Sequence, residues 1–141
     1  FIEKYFDRYK DVKKFFEEIV DLTRHRGYAE TILKRRRYIP NINSKNFALR
    51  AAAERIAINT PIQGSASDVI KLAMISIDND DSLKHTCKMI IQVHDELVFE
   101  VKKEKIQYTS KRVIEHMESC IKLKVPLKVE IGSGTTWADS H

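Results

Sequence analysis

Hydrophobic and polar residues follow two different periods along this chain, and each period predicts a different kind of element. Apolar residues at helical spacing predict three helices, at residues 6–26, 45–77 and 103–122. Short runs rich in β-branched residues predict strands within residues 28–39, on both sides of residues 95–96, and at residues 126–131. Since strands and helices do not alternate regularly, this order predicts an α+β fold in which long helices cover an antiparallel sheet.

The longest predicted helix carries both an apolar stripe and a proline. Pro61 removes the hydrogen bond that its position would donate to the Ala57 carbonyl, and it is expected to kink the helix. The apolar stripe is expected along one face of this helix, at Ile58, Ile62, Ala66, Val69, Ala73 and Ile77.

Composition narrows the class of protein without identifying a function. The 141 residues are 43% hydrophobic and 32% charged, which is typical of a globular domain with its own core. The 25 lysines and arginines outnumber the 20 acidic residues, so a polyanionic partner is permitted but not required. No apolar run approaches the roughly 18 residues of a membrane-spanning helix. Cys87 and Cys120 lack metal-ligand spacing and are expected to be reduced thiols of an intracellular protein.

The most informative segment combines two carboxylates with two strand-like runs. Residues 89–94 precede Asp95 and Glu96, and residues 97–101 follow them, which predicts a tight β-hairpin with the carboxylates at its tip. Adjacent carboxylates repel each other unless a positive group is near, and hard oxygen ligands suit Mg²⁺. An ordinary solvated turn is the alternative, because acidic residues are common in turns.

A second segment places three long polar side chains on one helix face. Arg55, Asn59 and Gln63 are four residues apart, so they drift by about 40° per step around an α-helix. All three side chains can donate hydrogen bonds. Donors aimed at minor-groove acceptors, which recur at every base pair, would sense the shape of a pair without reading its sequence. A solvated polar helix face is the alternative interpretation.

Both segments resemble motifs of the family A DNA polymerases, the bacterial DNA polymerase I type. Residues 92–101 resemble the second catalytic carboxylate motif, and residues 50–64 resemble the palm helix that contacts the primer-template. Further matches follow in order along nearly the whole chain, at residues 5–9, 27–31, 35–36, 38–40, 125–127 and 132–134, Trp137 and His141. The resemblance implies the C-terminal part of a right-hand polymerase domain, with residues 1–44 ending the fingers and their connecting hairpin, residues 45–141 in the palm, and His141 close to the natural C-terminus.

The resemblance implies two-metal phosphoryl transfer at the hairpin. Asp95 matches the carboxylate that binds the catalytic metals, and Glu96 matches its supportive neighbour. One Mg²⁺ would activate the primer 3′-hydroxyl, and the other would neutralise the triphosphate and the leaving pyrophosphate. Because successive side chains on extended backbone diverge, these two carboxylates are not expected to build the site alone. His94 matches a histidine beside the primer 3′ end, with a structural histidine at a strand end as the alternative.

The resemblance also implies DNA contacts outside the hairpin. Arg55, Asn59 and Gln63 match side chains that contact the primer-template near the insertion site. Arg36 and Arg50 match positions for phosphate contacts, which would add salt-dependent affinity without specificity, or they are solvated surface arginines.

The resemblance covers only the last part of a polymerase. The other metal-binding aspartate, the fingers helix that grips the incoming nucleotide and the thumb have no counterpart in this sequence. The predicted function is therefore template-directed DNA synthesis, in replication or repair, by a longer parent chain that binds primer-template DNA and deoxynucleoside triphosphates. This chain alone is expected to be inactive, and its expected location is the cytoplasm or nucleoid of a bacterium, or an organelle.

Two other functions are alternatives to a DNA polymerase. The chain could be a non-catalytic nucleic-acid-binding module derived from a polymerase palm, or a structural domain with an acidic turn. A single-subunit RNA polymerase would share the palm, but the match of residues 92–101 favours the DNA enzyme.

Lys34 stands where the family usually has glycine, and because lysine resists a positive φ, this turn is expected to be rebuilt.

Overall fold

The computed structural model of the protein describes residues 2–140, with the side chains from Lys4 onward. His141, expected near the natural C-terminus, lies outside the described residues. The chain divides into two compact units, of which the first ends at Asp68 and the second begins at Val69. In the described part of the chain, no helix is long and apolar enough to cross a membrane.

Two helices and a small hairpin begin the first unit. Their bounds are α1, Ile2–Arg8; α2, Lys10–Arg26; β1, Tyr28–Glu30; and β2, Arg36–Tyr38. A break at Tyr9 therefore divides the first predicted helix. Helix α2 ends because Gly27 adopts a left-handed φ of 76° and its N–H donates to the Thr23 carbonyl at 2.8 Å. Strands β1 and β2 then pair antiparallel, with Tyr28 opposite Tyr38.

The longest predicted helix is three consecutive elements. Their bounds are α3, Phe47–Asn59; a π-helical turn, Thr60–Gly64; and α4, Ser65–Asp78. The Asn46 side chain caps α3 by accepting hydrogen bonds from the N–H groups of Ala48 and Leu49. Pro61 lies in the π-helical turn and has no N–H to donate to the preceding turn. The α-helical hydrogen bonding is therefore interrupted at the predicted place, by a change of helix type.

Part of the predicted apolar stripe along these helices is wrong. Ala73 and Ile77 are buried as expected, but Ile62 is 52% exposed and Ala66 is also exposed. A stripe counted at constant α-helical spacing fails here because a π-helical turn rotates the chain less per residue than an α-helix does.

A small apolar core joins α3 to the segment that follows the first hairpin. Ile39 and Ile42 flank the start of a 3₁₀ turn, Pro40–Asn43, and both are almost completely buried. They form one cluster with Ala53 and Ala57, which are also buried. Because alanine side chains are short, the isoleucines approach the α3 backbone closely and fill the space beside it.

The second unit is built on a longer hairpin and a helix. Its elements are β3, Cys87–Val93; β4, Glu96–Val101; a 3₁₀ turn, Lys103–Lys105; and α5, Ile106–Ser119. Strands β3 and β4 pair antiparallel, with an irregularity between Met89 and Ile91. The core of this unit contains Ile77, Leu83 and Val113. The α+β fold class is therefore confirmed, with small antiparallel sheets beside helices.

The strand predicted for residues 126–131 is wrong. The described structure has no strand there, because a strand requires a hydrogen-bonding partner and this segment pairs with none of residues 2–140. Pro126 has no N–H for a strand ladder, and the Val129 N–H donates instead to the Glu118 carboxylate at 3.0 Å.

The turn between β1 and β2 keeps a lysine in a left-handed conformation. Lys34 has a φ of 65°, so the expectation that a lysine would avoid this conformation and rebuild the turn is wrong. The Lys34 N–H donates to the Thr31 carbonyl at 2.9 Å, and the Thr31 N–H donates to the Arg35 carbonyl at 3.0 Å. These bonds, with further contacts of Thr31 and Arg35 described below, outweigh the local strain.

Candidate functional site

The tip of the β3–β4 hairpin presents a carboxylate on a tight turn. Val93 pairs with Glu96, so His94 and Asp95 form a two-residue turn between the strands. His94 has a positive φ of 51°, which suits the twist of a two-residue hairpin and which histidine tolerates better than most residues. The Gln92 side chain donates from Nε2 to the His94 carbonyl at 3.0 Å and braces this turn. The predicted hairpin is confirmed with Asp95 in its turn, whereas Glu96, also predicted at the tip, is the first residue of β4 and pairs with Val93.

The chemistry of this tip fits part of a magnesium site. His94, Asp95 and Glu96 are all exposed to solvent. The Asp95 carboxylate offers the hard oxygen atoms that Mg²⁺ prefers. Among residues 2–140, no three histidine, cysteine, aspartate or glutamate side chains converge so that they could hold a metal ion. A complete two-ion site would therefore need oxygen ligands from elsewhere.

The three polar side chains predicted to share a helix face are all exposed. Arg55 and Asn59 lie on α3, and Gln63 lies in the π-helical turn. Within the described residues, none of the three side chains forms a hydrogen bond or an ion pair. Their donors are therefore available to a ligand. We call Arg55, Asn59 and Gln63 the polar row.

The Arg50 side chain, by contrast, is held inside the first unit. It donates from Nη1 to the Ser44 carbonyl at 2.9 Å, and its Nε lies 3.9 Å from the Glu54 carboxylate. Its guanidinium also lies over the Phe47 ring, 5.7 Å from the ring centroid. These contacts occupy much of the guanidinium, so a phosphate would compete with them or bind its remaining donors.

The Arg36 side chain is exposed but also has partners on the first hairpin. Its Nε donates to Glu30 at 3.2 Å, and its guanidinium lies 4.6 Å from the centroid of the Tyr28 ring. The hydrogen bond to Glu30 and the nearby Tyr28 raise the pKa of Arg36 further, so it carries its charge at every physiological pH. A phosphate could therefore bind the free edge of this guanidinium.

Sequence reasoning missed a group of polar contacts that binds the first hairpin to the π-helical turn. Asp68 is buried on α4, accepts a hydrogen bond from the Thr31 hydroxyl, and accepts a second bond from Arg35 Nε at 2.8 Å. Arg35 Nη2 also donates to the Gly64 carbonyl at 3.1 Å. The sequence signal for these contacts was Asp68 itself, an aspartate within an apolar helical stretch. A carboxylate buried there would need a partner, because buried carboxylates are normally paired. We call Thr31, Arg35 and Asp68 the clasp.

A second missed network lies in the second unit and follows α4. The Asp80 carboxylate accepts from Arg112 Nη2 at 2.6 Å, and it lies 2.8 Å from His116 Nε2. His116 Nδ1 in turn lies 2.7 Å from the Ser76 hydroxyl. Hydrogen bonds from Ser82, His116 and Arg112 hold the pKa of Asp80 well below its usual range. Asp80 is therefore a permanently charged structural residue at neutral pH.

The two cysteines are free, half-buried thiols. Burial raises the pKa of Cys87, and burial likewise raises the pKa of Cys120. Since the thiolate is the reactive form, both side chains are poor nucleophiles at neutral pH.

Comparison with known proteins decides the family. The family model for DNA polymerase family A matches residues 1–139. The chain belongs to DNA polymerase family A. The resemblance to this family that the sequence indicated is thereby confirmed.

Curated relatives of this family A chain are bacterial DNA polymerases I. DNA polymerase I of Bacillus caldotenax and DNA polymerase I of Bacillus subtilis (strain 168) are each 46% identical to it over 143 residues. DNA polymerase I of Borreliella burgdorferi is 45% identical over 142 residues. The chain covers 16% of the length of each of these three relatives.

A solved structure has the same fold as this family A chain. It is described as the POL domain of Pol1 from M. smegmatis in complex with DNA primer-template and dNTP. The two share 44% sequence identity with a TM-score of 0.94, and the match covers 99% of this chain and 25% of the other. The polymerase fold predicted from sequence is therefore confirmed.

Proposed function

We propose that this chain is the C-terminal part of a DNA-directed DNA polymerase, which adds deoxynucleotides to a primer 3′-hydroxyl on a DNA template during replication or repair. The observation that carries this proposal is the match to a polymerase domain bound to primer-template and dNTP, at 44% identity and a TM-score of 0.94. The Asp95 turn and the polar row support it, because these side chains are exposed and accessible to a ligand.

The rest of the catalytic machinery would come from the remainder of the same parent chain. The relatives extend far beyond the matched segment, because this chain covers only 16% of their length. Residues 1–44 would end the fingers with their connecting hairpin, and residues 45–141 would form the C-terminal palm. The missing segments would supply the second metal-binding aspartate, the nucleotide-gripping helix and the thumb. The relatives named above are bacterial, which supports a bacterial cytoplasm or nucleoid as its location.

The hairpin would contribute one carboxylate to a magnesium site. Asp95 would hold the metal, and Glu96 would support it from the first position of β4. Bound Mg²⁺ ions in such a site activate the primer hydroxyl and neutralise triphosphate charge. His94 would lie beside the primer 3′ end, because its left-handed conformation fixes it next to Asp95 on the same short turn.

The polar row would contact the primer-template through its minor groove. Arg55, Asn59 and Gln63 present free donors, and minor-groove acceptors occur at every base pair. Such contacts would test the shape of a pair without selecting a sequence, as a polymerase requires. Arg36 would bind the phosphate backbone through its exposed guanidinium edge, and Arg50 would do so with the donors that Ser44 leaves free.

Primer extension with Mg²⁺ tests this proposal. The 141-residue chain would be compared with the same chain combined with the remainder of its parent polymerase, using one labelled primer-template and all four dNTPs. We expect extension by the combined protein and none by the chain alone, because Asp95 cannot complete a two-ion site within the described residues. A control lacking Mg²⁺ tests whether the extension depends on the divalent cation.

The same samples distinguish the competing module. Filter binding of the primer-template would be measured at two salt concentrations, since phosphate contacts weaken steeply as salt rises. DNA binding without extension by either sample would replace the polymerase proposal with a non-catalytic nucleic-acid-binding module. If neither sample extends the primer and neither binds DNA in a salt-dependent way, the interpretation as a structural domain would replace both.

A further inference from the structure

The clasp fastens the first hairpin to the π-helical turn through the side chain of Asp68. The Asp68 carboxylate accepts from the Thr31 hydroxyl and from Arg35 Nε, the latter at 2.8 Å. Arg35 Nη2 reaches past it to the Gly64 carbonyl at 3.1 Å. A further bond joins the Ile32 N–H to the Ser65 hydroxyl at 2.8 Å. These contacts tie the connection between β1 and β2 to the C-terminal end of the turn and to the start of α4.

The burial of Asp68 indicates that this arrangement is specific. Its side chain is only 6% exposed, and an ionised carboxylate at such a position is costly unless hydrogen bonds and a positive partner compensate. Arg35 is itself 54% exposed and would otherwise be free to move in solvent. Nothing in the proposed chemistry uses Asp68, so its function lies in what it holds.

What the clasp holds is an uncommon backbone conformation. Pro61 cannot donate a hydrogen bond, and the turn from Thr60 to Gly64 is π-helical rather than α-helical. Side chains satisfy backbone carbonyls around the turn, since Ser65 donates to the Pro61 carbonyl and Arg35 donates to the Gly64 carbonyl. Such turns are rare, and they persist where surrounding contacts favour them.

The π-helical turn changes where Gln63 points. Four residues of α-helix rotate by about 400°, so Asn59 is displaced by about 40° from Arg55 around the axis. A π-helical turn rotates by roughly 80° per residue, so the four residues from Asn59 to Gln63 rotate by about 320°. The resulting displacement of about −40° cancels the displacement of about +40° between Arg55 and Asn59. On this geometry Gln63 returns to the direction of Arg55, and the three side chains of the polar row stay within about 40° of one another around the axis.

We propose that Asp68 and Arg35 are positioning residues that hold the π-helical turn and thereby aim Gln63 at the minor groove of bound DNA. This inference rests on the proposed function, because it assumes that the polar row contacts a DNA duplex. The clasp acts through backbone geometry and touches no substrate atom. Loss of the clasp lets the turn relax towards an α-helix, and Gln63 turns away from the direction of Arg55.

A modified base reports the aim of Gln63 directly. Replacing adenine by 3-deazaadenine in the terminal primer pair removes one minor-groove acceptor and leaves base pairing intact. The measured quantity is the ratio of kcat/KM on adenine to kcat/KM on 3-deazaadenine, in the full-length parent polymerase. We expect a ratio of about ten for the wild type, which is the value of one hydrogen bond, and a ratio near one for Gln63→Ala.

The clasp variants are then measured with the same pair of substrates. Asp68→Asn keeps the shape of the side chain and weakens its bond to Arg35, and we expect its ratio to fall towards one. Arg35→Lys tests the same point at an exposed position in case the Asp68 variant does not fold. Lysine has one donor nitrogen and lacks the planar fork with which Arg35 donates from Nε to Asp68 and from Nη2 to Gly64. In Gln63→Ala, neither clasp substitution should change the ratio further.

Asp80→Asn is the matched control. Asp80 is also an aspartate paired with an arginine, but its partners Arg112 and His116 belong to the second unit. We expect this variant to lose stability and to keep the wild-type ratio of about ten. A clasp variant that loses kcat/KM while keeping that ratio would show a merely structural role and overturn the positioning proposal. A wild-type ratio in Gln63→Ala would overturn the DNA contact itself, and the positioning proposal with it.

Discussion

Gly64 lies so close to Thr31 that a methyl group on its α-carbon would come within 2.7 Å of the Thr31 Cγ2 atom. Thr31 cannot easily rotate away, because its hydroxyl donates to the buried Asp68 carboxylate. Glycine is therefore required at this position by a close approach rather than by backbone conformation. The free space that it leaves allows the first hairpin to reach the π-helical turn.

Gly64→Ala should destabilise the first unit by about 1–3 kcal/mol, because the new methyl group must displace Thr31 or the turn. Urea unfolding of the chain measures this change. Thr31→Ser removes Cγ2 and keeps a hydroxyl for Asp68, so adding Gly64→Ala to Thr31→Ser should cost little or even stabilise the helix. An equal penalty in both backgrounds would show that the contact with Thr31 is not the cause.

Lys34→Gly should raise stability by about 0.5–1 kcal/mol, since glycine adopts a positive φ without steric cost. Lys34 has a φ of 65°, and its ammonium lies 3.9 Å from Glu30 with 80% of its side chain exposed. A pair this exposed contributes little, so its loss should not cancel the gain. The same substitution at Lys13, an exposed position inside α2, should lower stability by about as much. A loss of stability on substitution at both Lys34 and Lys13 would contradict the expected gain at Lys34.

Asp80→Asn should lower stability at neutral pH, and the loss should shrink in acid. The folded protein holds the pKa of Asp80 well below its ordinary value through Ser82, His116 and Arg112, so the carboxylate stabilises the fold above the unfolded pKa. That contribution is lost as the pH falls from the unfolded pKa, near 3.9, through the folded value. Urea unfolding from neutral pH down to about pH 3 follows it. Asp78→Asn, at the exposed end of α4, is the control. A loss of stability by Asp80→Asn that grows in acid would contradict this prediction.

Local sequence patterns predicted the features that depend on local physics. Alternating apolar residues on both sides of Asp95 and Glu96 predicted the β3–β4 hairpin, because the two strands need only each other and a short turn. The missing N–H of Pro61 predicted the interruption between α3 and α4. Helical spacing likewise predicted α2 and α5, although their ends differ from the prediction by several residues.

Features that depend on distant contacts were not predicted. The π-helical turn needs Arg35 and Asp68, which are 33 residues apart in the chain and meet only after folding. Lys34 keeps its positive φ for the same reason, since the surrounding turn is held from outside. The strand expected at residues 126–131 lacks a partner among the described residues. In each case the tertiary contacts of the described residues, or the lack of a partner among them, override the structure that the local pattern favours.

Asp95 is proposed to supply a metal-binding carboxylate to a polymerase site. In the full-length parent polymerase, Asp95→Asn should lower single-turnover primer extension with Mg²⁺ by about a thousandfold or more, because a neutral amide is a poor ligand for a hard cation. Primer-template affinity should change by less than about threefold, since Asp95 would bind metal rather than DNA phosphates. Asp81→Asn, which neutralises another exposed aspartate, should extend normally. Near-normal extension by Asp95→Asn would contradict the account.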